Sequence, residues 1–371
     1  MQKRLYFKNL DASRFFAFLL VLLAHCFIAV DNDLAKNQLF FSVYTWGKMG
    51  VLGLEYFFVL SSFLISTIIL EEIDQNGSFD LSNFLIRRSL RVWPLYFLIL
   101  ALGFLIAATG NILDVPVSEL PPLPYLVFFV VNFYIIQYGT DFLFFIAFLW
   151  SISIEEQFYL LWSLFLKFIP FRFEQFCLLL VSVSLIFRFI YLDQDATLYF
   201  HTVSTLGNFG IGGLLAWGLK ERKNFIINVV NLGKISCYAI YALIILLVIC
   251  YHQAMDFRWF RWSARLIYSV LFSFVILNQA RGKFIPFELG RIKAFDYLGK
   301  ISYGLYCYHG VVITLLVVVI RTFDIHENLA TAFLLWPVVI FGLTVLLSHL
   351  SYRFFESHFL KLKSRFYSFR P

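Results

Sequence analysis

Charge is what this chain has least of. Of 371 residues only 14% are Asp, Glu, Lys or Arg, against 61% hydrophobic and 20% aromatic. That balance is too apolar for a soluble domain of this length. Proline is scarce too, at nine residues, and no Pro- or Gly/Ser-rich stretch separates a soluble unit. Five cysteines, Cys26, Cys177, Cys237, Cys250 and Cys307, stand singly in apolar segments. Their spacing indicates neither a disulfide framework nor a zinc site, and no metal is expected. No internal repeat is visible. No cleavable leader is expected, because the first apolar stretch carries Asp11, Arg14 and His25 and lacks a small-residue cleavage site after it. The formal charge of +7 lies mostly in short loops, which reads as membrane orientation and not as a nucleic-acid footprint.

What is abundant is long apolar sequence. Stretches near 11–30, 47–70, 92–109, 149–167, 174–192, 201–219, 227–250, 264–280, 300–320 and 329–350 approach the roughly 20 residues that cross a bilayer. The expected fold is all-α, a polytopic integral membrane protein of about ten transmembrane helices. Lys and Arg cluster at Lys3–Lys8, Arg87–Arg91, Lys220–Lys223, Arg281–Lys293 and Lys361–Arg365. Placing all five clusters inside puts both termini in the cytoplasm. Parity then leaves one crossing between Arg91 and Trp150, so segment 122–138, introduced by PPLP, is expected to re-enter or lie at the outer interface. Arg258, Arg261 and Arg265 fall outside and oppose this topology. The whole chain, 1–371, is expected to form one membrane domain with no fused soluble domain.

Ionisable residues deep in such spans are costly and mark candidate sites. His25 lies in LDASRFFAFLLVLLAHCF, Glu55 in GLEYFFVLSSFLI, and Glu155-Glu156 in LWSISIEEQFYLLW. The helical rise puts His25, Glu55 and Glu155 roughly 8, 12 and 10 Å below the outer surface, a shared layer. Arg14 falls about 16 Å inward of His25, with Arg88 and Arg91 on the inner face. Histidine is suited to taking a proton from a hydroxyl near neutral pH, and a neighbouring carboxylate would orient it. An Arg88-x-x-Arg91 pair suits a phosphate-bearing cytosolic molecule, since guanidinium forks grip phosphate. Each feature has a plainer origin. Basic clusters anchor cytoplasmic helix ends, and either His25 or His309 could be a structural histidine bonded to a backbone carbonyl. One glutamate of the adjacent pair could be an ion-pair partner. NFGIGGLLAWG at 208–218 reads as close helix packing.

At these residues the chain resembles the acyltransferase 3 family of bacterial integral-membrane acyltransferases, from about Leu10 to Glu356. Arg14 and His25 match its Arg-x10-His pattern, and GLEYFFVLSSFLI parallels its acidic-then-FFVLSGFLI segment. IRRSLRVWPLYF carries Arg-x-x-Arg at Arg88 and Arg91; Trp150, Ser151 and Glu155 match Trp-Ser-Leu-x-Val-Glu. YLGKISYGLYCYH and SYRFFE match the late elements. Ser62 replaces a usual glycine, and His358 stands where proline often follows.

The resemblance implies transfer of an acyl group, most often acetyl, from cytosolic acyl-CoA to a hydroxyl of an extracytoplasmic glycan or glycolipid such as lipopolysaccharide O-antigen. Acyl-CoA would be a co-substrate, with no tightly bound cofactor, and the setting the bacterial inner membrane. His25 would be the catalytic base, with Glu55 and Glu155 at acidic positions of the pattern. Arg14, Arg88 and Arg91 would hold the donor. His309, Trp150 and Tyr303 are further candidates. Some members carry a fused hydrolase-like domain; these 371 residues hold none, so onward transfer would need the membrane domain itself or a partner. Two other classes stay open: a proton-coupled transporter, marked by uptake without CoA, and a non-catalytic envelope-assembly protein, marked by a stable partner complex.

Overall fold

A computed structural model describes residues 7–113, 120–169 and 172–366, and every regular element among them is helical. Ten helices have 16 or more residues: α1 (Lys8–Leu23), α2 (Leu52–Asn76), α3 (Leu81–Leu113), α4 (Leu149–Phe168), α5 (Phe173–Ile190), α6 (Thr202–Glu221), α7 (Lys234–Ile249), α8 (Arg258–Arg281), α9 (Ser302–Thr322) and α10 (Trp336–Ser351). Each coincides with one expected span. By length and apolarity seven segments are able to cross a membrane, or eight if the bent pair Lys223–Val229 and Lys234–Ile249 is one span. The 16-residue α1 and the glycine-rich α6 are not among the seven.

The outward surface is apolar. Along α5, Leu178, Leu179, Val183, Ile186 and Ile190 are exposed, while Phe176, Cys177, Leu180 and Ser184 are buried. A helix with an apolar outer stripe and small or polar residues inward fits a hydrocarbon solvent.

Segment 122–138 forms two short helices, Leu123–Val127 and Val131–Tyr138. At about 1.5 Å per residue neither crosses a bilayer. Between them Phe129 adopts a left-handed backbone, φ 55°, which costs a non-glycine residue. Gln157 Nε2 donates to the Phe129 carbonyl at 2.7 Å and Tyr96 Oη to that of Leu126 at 2.7 Å, holding the turn against α3 and α4.

The core sits where α6 packs on α2 and α5, with α8 across α2 and α6. On the other flank α1 lies between α2 and the short helix Lys293–Lys300. Glycine makes both contacts: a Cβ at Gly53 would collide with the Ala17 carbonyl, and one at Gly299 with that of Asp11. Backbone therefore meets backbone on both sides of α1.

Candidate active site

Arg14 projects from α1 and donates to Asp11 Oδ1, one turn earlier, at 2.6 Å. Arg88 and Arg91 lie one turn apart on α3, just before Pro94. The Arg88 guanidinium stands over the rings of Phe84 (5.5 Å) and Tyr159 (5.6 Å). Arg91 makes no hydrogen bond or ion pair among the described residues. From α4, Glu155 accepts from Tyr159 Oη at 2.9 Å, and Tyr159 Oη also meets Ser61 Oγ at 3.1 Å. These groups surround a cavity of about 110 Å³, closed at its far end by Ser151 and Tyr306, whose hydroxyls are 2.7 Å apart. Tyr303 also lines it, donating to the Val92 carbonyl at 2.8 Å.

Arg14, Arg88, Arg91 and Leu64 are shared with a second space of about 280 Å³, a vestibule. Its cations are those three arginines with Arg87 and Lys363; its carboxylates are Asp11 and Glu71. Five positive side chains against two negative ones make it a site for anions. Arg87 also donates to Glu72 at 3.3 Å and to the Phe366 carbonyl at 2.6 Å, docking the C-terminal turn here. The vestibule end of the bundle is marked by Phe7, with the Arg281 guanidinium 5.2 Å above its ring.

His25 lies beyond the far end of the cavity, just past the last residue of α1. Its Nδ1 meets the Val21 carbonyl at 2.8 Å, a helix-terminal group that also accepts from the Ala24 N–H at 3.2 Å. Phe148 packs 4.6 Å from the His25 ring and 4.6 Å from that of His309, and the Tyr306 ring also stands 5.5 Å from His309, its hydroxyl donating to the Phe148 carbonyl at 3.1 Å. Along α9, Tyr303, Tyr306 and His309 are successive turns, about 4.5 Å apart by the helical rise, running from the arginines to the histidine pair.

The expected layer of His25, Glu55 and Glu155 is not what the structure brings together. Glu155 joins the arginines because its span starts at Phe144, five residues before the expected edge, which sinks it about 8 Å deeper. Glu55 faces a different neighbourhood: its Oε1 pairs with Arg265 Nε at 3.3 Å, and its Oε2 accepts from Asn208 Nδ2 at 2.6 Å. Depth arithmetic ranks residues along the helix axis and is blind to the face they leave from. Trp150 is buried between the rings of Tyr199 and Phe200, each 5.0 Å away, and does not line the cavity. Glu156 accepts from Trp93 Nε1 at 2.9 Å. Among the described residues no three His, Cys, Asp or Glu side chains form a metal-holding group.

Arg258, Arg261 and Arg265, at odds with the charge rule, are each paired: with Asp193 at 3.0 Å, with Asp195, and with Glu55. Sequence reasoning missed several neighbours of the site. Tyr159 stands four residues after Glu155 and Tyr306 three after Tyr303, so helical spacing could have found both. Glu327 had no such signal. It is buried, accepts from the backbone N–H groups of Val30 (2.6 Å) and Asp31 (2.8 Å), and takes Trp336 Nε1 at 3.0 Å. It clamps the chain that follows His25.

The sequence profile of an acyltransferase domain, acyltransferase 3, matches residues 7–353. O-acetyltransferase OatA of Staphylococcus aureus strain NCTC 8325 / PS 47 is 26% identical over 349 residues, which cover 88% of this chain and 55% of that protein. OatA of strain COL gives the same figures. A provisionally named O-acetyltransferase of strain MRSA252 is 27% identical over 341 residues, 85% of this chain and 54% of its own. The chain spans about half the length of the curated relatives it matches. No solved structure matches it. With a profile running across nearly all of the described helices, and with the motif order read above inside it, the chain belongs to the acyltransferase 3 family.

Proposed function

We propose that this protein is a membrane O-acetyltransferase, moving an acetyl group from cytosolic acetyl-CoA to a hydroxyl of an extracytoplasmic glycan or glycolipid. The observation that carries this reading is the unpaired Arg91 beside Arg14 and Arg88, at the junction of a cationic vestibule and a narrow cavity aimed at His25. Three guanidinium groups lining open space, Arg91 with no hydrogen bond or ion pair among the described residues, suit the phosphates of an anionic donor. The inner cavity is too small for a nucleotide but suits the slender acyl-thioester arm. The nucleotide would stay in the vestibule, on the cytoplasmic side of a bacterial inner membrane with both chain termini inside. This reading is supported by the family and by the OatA relatives, which are named as O-acetyltransferases.

In this scheme Glu155, held by Tyr159, orders the arginines around the thioester arm. Phe148 swings aside when acceptor and donor are both present. His25 takes the proton from the attacking hydroxyl, the oxygen bonds to the thioester carbonyl carbon, and the carbon–sulfur bond breaks to release CoA inward. Glu55 is a scaffold ion pair with no part in the chemistry.

The test is label transfer from [acetyl-14C]acetyl-CoA into luminal glycan of sealed inside-out vesicles, comparing wild type with His25→Ala at matched protein level. Label with wild type alone is the expected result. Full transfer by a stably inserted His25→Ala protein would sink the histidine base, and CoA-independent solute uptake by a protein that transfers no label would favour a transporter.

A further inference from the structure

A catalytic histidine that becomes charged needs a neighbour to accept its new N–H, and among the described residues no carboxylate stands beside His25. Its polar neighbour is His309, with ring centroids 5.5 Å apart and planes at 45°. His309 is completely buried on α9. Its Nδ1 meets the Tyr306 carbonyl at 2.5 Å, as that of His25 meets the Val21 carbonyl at 2.8 Å. A carbonyl oxygen only accepts, so both Nδ1 atoms carry hydrogen and in the neutral rings both Nε2 atoms hold lone pairs. The Nε2 of His309 has no partner. A buried acceptor left empty is rare in folded proteins and calls for an explanation.

The other rings around the pair offer none. Phe148 lies face to face with His309, Phe18 meets it edge-on at 6.0 Å, and Phe144 lies 5.9 Å from His25. None of these carries a polar hydrogen, and the hydroxyl of Tyr306, whose ring is 5.5 Å from that of His309, donates instead to the Phe148 carbonyl at 3.1 Å. The one nearby group that acquires one is His25, when it takes the acceptor's hydroxyl proton. Resting on the acyl-transfer reading above, we propose that His309 is the positioning residue for His25, its Nε2 accepting a hydrogen bond from the protonated Nε2 of that ring. It fills the place a carboxylate fills in other histidine-base catalysis. The proton lies between the two rings while the ester bond forms and the carbon–sulfur bond breaks, then leaves on the CoA thiolate, giving ester and free CoA thiol. A neutral partner suits this depth: a carboxylate would bring a permanent charge into an aromatic pocket, at the cost of desolvating it, whereas an imidazole is uncharged at rest.

The test uses the full chain in membrane vesicles that retain their envelope glycans, with labelled acetyl-CoA as donor. Initial rates are taken for wild type, His309→Phe and His309→Gln, and thermal midpoints in detergent report folding. Phenylalanine keeps a flat ring and removes the acceptor; glutamine supplies an amide oxygen. The expected result is a fall in kcat of about 100-fold for His309→Phe with KM for acetyl-CoA within about twofold of wild type, and recovery of at least about tenfold of that loss by His309→Gln. Equal losses in both variants at unchanged midpoints would overturn the proposal, as would a His309→Phe kcat within about twofold of wild type. Should His309→Phe fail to fold, His309→Gln decides alone: retention of more than about a tenth of wild-type kcat supports the proposal and less overturns it. A wild type that transfers no label from acetyl-CoA overturns this inference together with the acyl-transfer reading, whereas an active wild type with indifferent His309 variants overturns this inference alone.

Discussion

Two groups of arginines sit inside the same bundle and differ in what surrounds them. Near Glu55, Arg188 donates to the carbonyls of Arg261 (2.6 Å) and Trp262 (2.8 Å) and to Ser204 Oγ (2.9 Å). Arg265 donates to the Tyr199 carbonyl at 2.9 Å and pairs with Glu55, with only its Nη1 left over. Near Glu155, Arg91 makes no hydrogen bond or ion pair among the described residues and lines both spaces. The first group fastens loops and helix ends at one end of the bundle, and the second lines open space at the other, where the proposed donor would bind. Composition alone does not separate them, since both are arginines beside a glutamate within an apolar span. What separates them is whether the chain itself satisfies the donors.

Breaking the scaffold group is expected to have the largest effect. Arg265→Ala leaves Glu55 buried and unpaired, which costs about 3–5 kcal/mol, read as a lower thermal midpoint in detergent and reduced insertion. The double change Glu55→Gln with Arg265→Met removes both charges and is expected to restore most of that midpoint. An unmoved midpoint in Arg265→Ala would erase the distinction between the two groups. Next in size is Arg91→Ala, which deletes donors with no protein partner. Losing a charge-assisted bond to the donor costs about 1.5–3 kcal/mol, roughly 10- to 150-fold in kcat/KM for acetyl-CoA, at an unchanged midpoint. A folding defect in Arg91→Ala would show that it too is scaffold. Raising ionic strength sharpens the contrast further. The open vestibule is screened and KM for acetyl-CoA rises about several-fold from 0.05 to 0.5 M salt, while the sealed Glu55 group leaves the midpoint in place. Smallest is Asp193→Asn, which removes the exposed partner of Arg258 and is expected to change stability by less than about 1 kcal/mol and activity not at all.

The helices were legible because apolar runs of membrane length carry their own boundaries, and each of the ten expected stretches has its helix. The arginines were legible too, since Arg88-x-x-Arg91 places two guanidinium groups on one face by helical period alone. Lateral position was not. Glu55 and Glu155 look alike in sequence, yet one leaves its helix toward α6 and α8 and the other toward α1 and α3. The broken stretch Phe144–Phe148 also escaped notice, because four-residue helices have no periodic signature, and it is this break that sets the depth of Glu155 and the place of Phe148. Glu327 was invisible for a different reason: its partners are backbone N–H groups some 300 positions away, and no local pattern encodes those.

Phe148 has a consequence for the membrane as a whole. A protein that carries an acyl group through a bilayer runs a polar route most of the way across a barrier that holds the cell's ion gradients. On the proposed acyl-transfer reading the route from the vestibule reaches Ser151 and Tyr306, beyond which the rings of Phe148 and Tyr306 pack directly on His309. On that reading the packed rings would insulate the route at rest, leaving protons and small ions no wire. Widening that point with a small side chain is then expected to make the membrane leak protons as well as to alter acyl transfer.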